Sequence, residues 1–201
     1  MQFNSSHKKK IDYFYQLAEF EFENLARERI LAFTKFTMPS YQIGWHHKIL
    51  SQYLDRFVKK EIKRLIVSMP PRHGKSELVS RRLPAFIFGK NPNASIISTS
   101  YGADLASRMN RDVQRIMETE QYKKLFPDTG LNEKNIRSVA GGTWLRNSDI
   151  FEVVGHKGIY RSAGVGGGIT GMGADYCFPK GVKVSTSNGY KDISDLKVND
   201  R

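Results

Sequence analysis

A chain of 201 residues can bury one good core with a small appendage, and a formal charge of +12 with a pI near 9.8 predicts polyanionic partners, nucleic acid first. No apolar run approaches the roughly 18 residues needed to span a bilayer, and the basic start Met1–Lys10 lacks the apolar segment of a signal peptide, so no membrane association is expected. The one cysteine, Cys177, excludes an internal disulfide and reads as an intracellular chain.

Residues 11–36 place Ile11, Phe14, Leu17, Ala18, Phe20, Leu25, Ile30 and Leu31 at near-helical spacing, which predicts one or two amphipathic helices forming an N-terminal lid. A second helix is expected over about 46–61, with Ile49, Leu50, Leu54, Phe57 and Val58 on one face. Lys59, Lys60, Lys63 and Arg64 crowd its exit, as a solvated basic face or a DNA contact. Leu65-Ile66-Val67 reads as a short strand. A helix from about Ser76 to Phe88 follows, closed by Gly89-Lys90-Asn91-Pro92. Ala94–Thr99 is a buried-type strand, and Ala103–Glu118 a helix with Leu105, Met109, Val113 and Ile116 inward and Arg108, Arg111 and Arg115 sharing another side. The order strand, loop, helix, strand, helix is that of a parallel α/β sheet. Short strands are expected at 143–146, 151–154 and 159–162. Gly166, Gly168 and Gly171 fit G-x-G-x-x-G, but Ala174-Asp175-Tyr176 opens a strand where a dinucleotide site needs a helix, so the run reads as a flexible or tightly turned loop.

Between the first strand and its helix lies Pro70-Pro71-Arg72-His73-Gly74-Lys75-Ser76-Glu77. A phosphate-binding loop has this layout: backbone N–H groups and a helix N-terminus face anionic oxygens, with Lys75 reaching the β/γ-phosphates and the Ser76 hydroxyl holding Mg²⁺. Met69 stands where the pattern G-x-x-x-x-G-K-[ST] has its first glycine. The plain alternative is a surface turn that contains Gly-Lys-Ser.

Several stretches in order carry a family resemblance: Trp45-His46-His47 before a basic helix, Met69–Glu77, Ser98-Thr99-Ser100-Tyr101 followed by a helix containing Ser107-Arg108, Leu125-Phe126-Pro127, and Gly168–Asp175. Together they resemble the ATPase domain of the large terminase subunit of tailed bacteriophages and prophages, over roughly residues 30–176. The resemblance implies a P-loop NTPase fold with a parallel sheet that is incomplete here. It also implies ATP and Mg²⁺ as cofactors, double-stranded DNA, portal and small terminase subunit as partners, a homo-oligomeric ring, and the host cytoplasm as location. In that family the Pro-Pro-Arg-His form of the loop commonly lacks the first glycine. Carried over by position, Pro71, Arg72, His73, Gly74, Lys75, Ser76 and Glu77 would hold the triphosphate, with Arg72 stabilising charge on the γ-phosphate and Ser76 on Mg²⁺. Tyr41, Gln42 and Trp45 sit where the family places an adenine-binding segment. Arg108 or Arg111 is an arginine finger toward a neighbouring subunit, or an ordinary surface arginine. The acid pair that the family places at the end of the strand opening Gly-Ala-Asp-Tyr is not supplied, since Asp175 lies too early.

After Tyr176 the text changes. Cys177-Phe178-Pro179-Lys180-Gly181, alternation around Val182 and Val184, an Asn188-Gly189 turn and a closing Val198-Asn199-Asp200 resemble the N-terminal splicing block of an intein, a short all-β fragment of a Hint-type domain. The resemblance implies attack of the Cys177 thiolate on the Tyr176 carbonyl, and a partner carrying a C-terminal intein and extein half. The plain alternative makes Cys177 a small buried strand residue. The expected organisation is thus 1–60 as helical lid and adenine-side segment, 61–176 as an incomplete ATPase core, and 177–201 as an intein fragment. Competing readings are another P-loop ATPase or helicase fragment, and a non-catalytic basic DNA-binding module.

Overall fold

The computed structural model describes residues 5–134, 143–164, 171–178, 183–186 and 189–192. Helices α1 (Ser5–Glu28), α2 (Ile30–Thr37) and α3 (Trp45–Val58) come first. The predicted N-terminal helical region is two helices because the chain breaks at Arg29, whose backbone is extended. Asp55 of α3 repairs that break: its Oδ1 accepts the Ile30 N–H at 2.9 Å, supplying the acceptor that the start of α2 lacks, while Arg29 pairs with its Oδ2 at 3.4 Å. Burial raises the Asp55 pKa in spite of these partners. Ala26, Ile30, Phe33, Leu50 and Leu54 all lie in the one central core, so α2 and α3 are integral to the fold and do not merely cover it.

From Ser76 to Arg82 the helix is wound wide, with i→i−5 bonding such as Leu83 N–H to the Leu78 carbonyl, and then tightens into α4 (Leu83–Lys90). Pro84 explains the widening. It has no N–H to give the Ser80 carbonyl, and its ring presses on that carbonyl. The predicted helix over 76–88 is therefore two kinds of helix in series. Asn91 donates to Ile87 at 2.7 Å and ends α4 before Pro92, as the Gly-Lys-Asn-Pro signal predicts.

Strand β1 (Ser95–Ser100) leads into α5 (Ala103–Glu118), whose bounds match the sequence expectation. A short helix that the periodicity did not reveal, α6 (Glu120–Leu125), starts where the Thr119 hydroxyl accepts the Tyr122 N–H. Strands β2 (Ile150–Glu152), β3 (Ile159–Gly164) and β4 (Tyr176–Phe178) complete a four-stranded sheet in the order β2-β3-β1-β4. β1 runs parallel to both β3 and β4, with Ile96 opposite Tyr160 on one side and Tyr176 on the other. β2 is antiparallel to β3 because the short 153–158 connection allows a hairpin but no crossover. The sheet is thus mostly, not wholly, parallel. The fold is mixed α/β.

Two expected strands are corrected. Residues 143–146 contribute one isolated bridge, Arg146 to Phe151. The larger correction is Leu65-Ile66-Val67, which does not join the sheet. Its side chains still alternate: Leu65, Val67 and Met69 pack against the core while Ile66 is exposed. A cavity of about 740 Å³ is lined by Leu65, Ile66 and Val67 of this segment and by Tyr176, Cys177 and Phe178 of β4. The segment has the sequence pattern of a strand without the ladder. Within the glycine run, residues 165–170 lie outside those described; beyond it the chain enters β4 and not a helix, in line with the rejection of a dinucleotide site. A separate hairpin, β5 (Lys183–Thr186) with β6 (Gly189–Asp192), closes on the pair Thr186–Gly189. Gly189 therefore begins β6, while Asn188, the other residue of the expected turn, lies outside the described residues.

The core is aromatic. Phe33 of α2 sits 5.3 Å from Phe86, 6.1 Å from Tyr122 and 6.1 Å from Phe126, binding α2, α4 and α6 together, and Phe151 stacks on Tyr160 at 5.1 Å between β2 and β3. Gly89 permits this packing, since a Cβ there would lie 2.3 Å from the Phe126 ring. Phe33→Ala is expected to cost about 3–5 kcal/mol in urea denaturation, whereas Phe20→Ala, on the exposed face of α1, stays within about 0.5 kcal/mol.

Candidate functional site

Residues 71–77 turn sharply before the helix. Arg72 has φ 61° and Gly74 φ 79°, both left-handed, and Lys75 is already helical at φ −50°, ψ −54°. For Arg72 that geometry is costly, and strain of this kind persists where its surroundings enforce it. The Gly74 carbonyl accepts the Leu78 N–H at 3.0 Å, which starts the helix. The helix N-terminus, with its unpaired N–H groups, therefore opens at Lys75 and Ser76. Both residues are half-buried and line the cavity, together with Ser98, Thr99 and Ser100 from the C-terminal end of β1 and Met109 from α5. Arg72 and His73 are exposed. A helix start with a lysine and a hydroxyl beside it can hold an anionic group and donate to it.

The loop's shape is set by the 41–47 segment. The His47 ring is buried and reaches two backbones: its Nδ1 accepts the Gly44 N–H at 3.0 Å, and its Nε2 lies 2.9 Å from the His73 carbonyl. His46 Nε2 stands 3.1 Å from the same His47 Nε2. Tyr41 packs its ring 5.1 Å from His47, with its hydroxyl buried and unpartnered. Gly74 has no room for a side chain, because a Cβ would fall 2.4 Å from His47 Nε2 and 2.9 Å from the Tyr41 oxygen. Of the three residues expected on the adenine side, Tyr41 is buried as an anchor, while Gln42 and Trp45 are exposed, Trp45 edge-on to His46 at 5.7 Å.

Glu77 faces away from the loop. Its two oxygens take Arg82 Nε at 2.8 Å and Arg81 at 2.9 Å; Arg82 also donates to the Thr37 hydroxyl at 2.7 Å, and Arg81 pairs with Asp112 of α5 at 2.8 Å. This network clamps the wide helix between α2 and α5. Burial alone would raise the Glu77 pKa, but the bonds to Arg82 and Arg81 outweigh it and hold the carboxyl below its ordinary 4.5. Arg108 and Arg111 are exposed on α5.

Asp175 is committed elsewhere. Its carboxylate accepts the Ser95 N–H at 3.0 Å and Lys60 at 3.2 Å, and the first of these bonds leads in holding its pKa low. Tyr176 is buried, its hydroxyl donating to the Val58 carbonyl at 3.0 Å and its ring 5.5 Å from Phe57. Cys177 is exposed opposite Ile97 at the sheet edge, yet enough water is removed from its sulfur to raise the thiol's pKa. Among the described residues no group of three or more His, Cys, Asp and Glu is placed to hold a metal ion, and no helix is long and apolar enough to cross a membrane.

Sequence reasoning singled out Trp-His-His as a motif but assigned His47 no task. Its position three residues after Gly44, at the start of a helix, is the readable signal, since the third helical residue is where a side chain can turn back to the capping N–H.

A family model described as "Terminase large subunit, T4likevirus-type, N-terminal" matches residues 66–178, more than half of the chain. No curated protein and no solved structure matches.

The lowered Glu77 pKa predicts acid sensitivity. The folded state binds the Glu77 proton less readily than the unfolded chain, so its stabilisation is full above 4.5 and is lost as pH falls through the lower folded value. Glu77→Gln is expected to flatten the acid limb of a plot of urea midpoint against pH; a limb as steep as in the wild type would exclude Glu77 as its source.

Proposed function

The chain belongs to the large terminase subunit family of the T4-like-virus type, and on that premise we propose that it is the N-terminal part of a DNA-packaging motor ATPase whose nucleotide site is built on residues 71–77. The observation that carries this reading is the loop itself: Lys75 and Ser76 stand together at a helix start, on a cavity, inside the segment that the family match covers. The residues fit a triphosphate. Lys75 and the loop amides would hold its oxygens, and the Ser76 hydroxyl would serve Mg²⁺, since the Glu77 carboxylate is taken up by Arg81 and Arg82. Bound Mg²⁺ would neutralise phosphate charge; the chain's own part is to orient the phosphates and, through Arg72, to offer a planar cation to the γ-phosphate. No described carboxylate beside the loop is free to orient a water, because Glu77 and Asp175 are engaged with arginines, Lys60 and backbone.

In this reading residues 1–60 and 61–176 form the helical and ATPase parts, Gln42 and Trp45 flank the base, and Arg108 or Arg111 faces a neighbouring subunit in a ring. Double-stranded DNA, portal and small subunit are the partners. Residues 177–201 form the start of an intein. Support comes from the change of sequence pattern after Tyr176, from the end of the family match at residue 178, and from the separate β5–β6 hairpin. The first splicing step is an acyl shift: the Cys177 sulfur bonds to the Tyr176 carbonyl carbon, the C–N bond breaks, and the sulfur's proton ends on the Cys177 amine. The pairing of Tyr176 and Cys177 with β1, and the raised thiol pKa, both oppose this step in the present conformation, so β4 must leave the sheet for it to proceed.

Calorimetric titration with Mg·ATP is expected to show binding by the 201-residue chain that Lys75→Ala abolishes, with little hydrolysis; equal heats from both proteins would favour a basic module with a phosphate-loop-like turn. Mixed with a complementary C-terminal intein half, the chain should lose residues 177–201 and become joined through Tyr176. The same product by mass spectrometry from Cys177→Ala would rule out the proposed nucleophile.

A further inference from the structure

We infer that His47 is a positioning residue for the phosphate-binding loop: it ties the start of α3 to the His73 carbonyl and so holds Arg72, Gly74 and Lys75 in their nucleotide-binding arrangement. The inference rests on the reading of residues 71–77 as a nucleotide site.

The hydrogen-bond partners dictate the ring's state. The Gly44 N–H can only donate, so His47 Nδ1 is bare and accepts it. The His73 carbonyl can only accept, so His47 Nε2 carries the proton. His46 Nε2, at 3.1 Å from that N–H, is then a lone-pair acceptor for its second branch and carries its own proton on Nδ1. One buried imidazole thus joins two backbones that lie 29 residues apart in sequence, Gly44 and His73.

The tie matters because the loop lacks the usual support. Residues 65–67, which lead into it, pair with no strand among the described residues and line a cavity together with residues of β4. Arg72 is held at a left-handed φ that an arginine leaves unless constrained. The carbonyl that His47 holds belongs to the very next residue. Gly74, following it, closes against the same ring, with no space for a Cβ between them. Removing the Nε2 donor would leave the His73 carbonyl unpaired and Arg72 free to relax, at the cost of ordering the loop again when nucleotide binds.

Two substitutions separate the two bonds of the ring. Asn at 47 can still accept the Gly44 N–H but is too short to reach His73, whereas Gln places a donor near the Nε2 position. With Mg·ATP as titrant, His47→Asn is expected to bind about tenfold more weakly than the wild type and His47→Gln within about twofold, while thermal melts show both folded. Wild-type binding by His47→Asn, with Lys75→Ala inactive, would overturn the inference and leave the nucleotide site standing. A role confined to capping α3 predicts a lowered melting temperature for His47→Gln, which gives up the acceptor for the Gly44 N–H, a near-wild-type one for His47→Asn, and unchanged affinity in both, and would overturn it too. Equal titrations of wild type and Lys75→Ala would remove the nucleotide-site reading and the inference with it. Should Asn at 47 fail to fold, the wild-type protein still decides: ring ¹⁵N shifts must show His47 protonated at Nε2 and bare at Nδ1, and the opposite tautomer contradicts the tie.

Discussion

The loop at 71–77 is held from the side of the helices that precede it. A strand entering a phosphate loop is ordinarily fixed by its sheet neighbours; here, among the described residues, the entering segment pairs with no strand and is held by the packing of Leu65, Val67 and Met69 on the core. What remains is a set of short-range contacts: the His47 ring against the His73 carbonyl and Gly74, the Tyr41 ring against His47, and the Glu77–Arg82–Thr37 network behind the first helical turn. These contacts come from α2, from the start of α3 and from the loop between them. The position of Lys75 and Ser76 therefore depends on how α2 and α3 are seated, which in turn depends on Asp55 at the start of α2 and on Phe33 in the core.

The other wall of the site is the sheet. β1 is its centre, parallel to a neighbour on each side, and it delivers Ser98–Ser100 to the cavity that Lys75 and Ser76 also border. β4 is short and is pinned at its start by side chains: Asp175 on the Ser95 N–H and on Lys60, and Tyr176 on the Val58 carbonyl. Lys60 and Val58 belong to the exit of α3, so the same helix steadies the loop at one end and β4 at the other. Splicing at Tyr176–Cys177 would pull on this second anchorage. Release of β4 would then change one border of the cavity that Lys75 and Ser76 also line.

Much of the architecture was legible where local signals and burial agree. Of the α5 pattern, Met109, Val113 and Ile116 are inward as expected, whereas Leu105 is only half-buried and Ala106 takes the buried place beside it; this face packs on the sheet and on the Ser76–Arg82 helix. The phosphate-loop candidate was legible from residue types alone, since a left-handed glycine followed by Lys-Ser at a helix start is a local arrangement. The strand expected at 65–67 was not, because alternation reports which side chains face a core, whereas a strand also needs a backbone partner at ladder distance. The widened helix is present in the sequence as Pro84, whose effect reaches four residues back, beyond what helical spacing of apolar residues reports. Likewise Thr119 signals α6, but six residues are too few for a hydrophobic period to show. His47 escaped because its role depends on a backbone carbonyl 26 residues away, a relation that no local pattern encodes.

The central claim is that residues 71–77, braced by 41–47, form a nucleotide site. Its most direct test is amide hydrogen–deuterium exchange of the 201-residue chain with Mg²⁺ alone and with Mg·ATP. Slowed exchange concentrated at 72–78, with a smaller effect at 41–47, is the result this account predicts. Unchanged exchange across 72–78, or protection confined to the exposed arginines' helix α5, would contradict it.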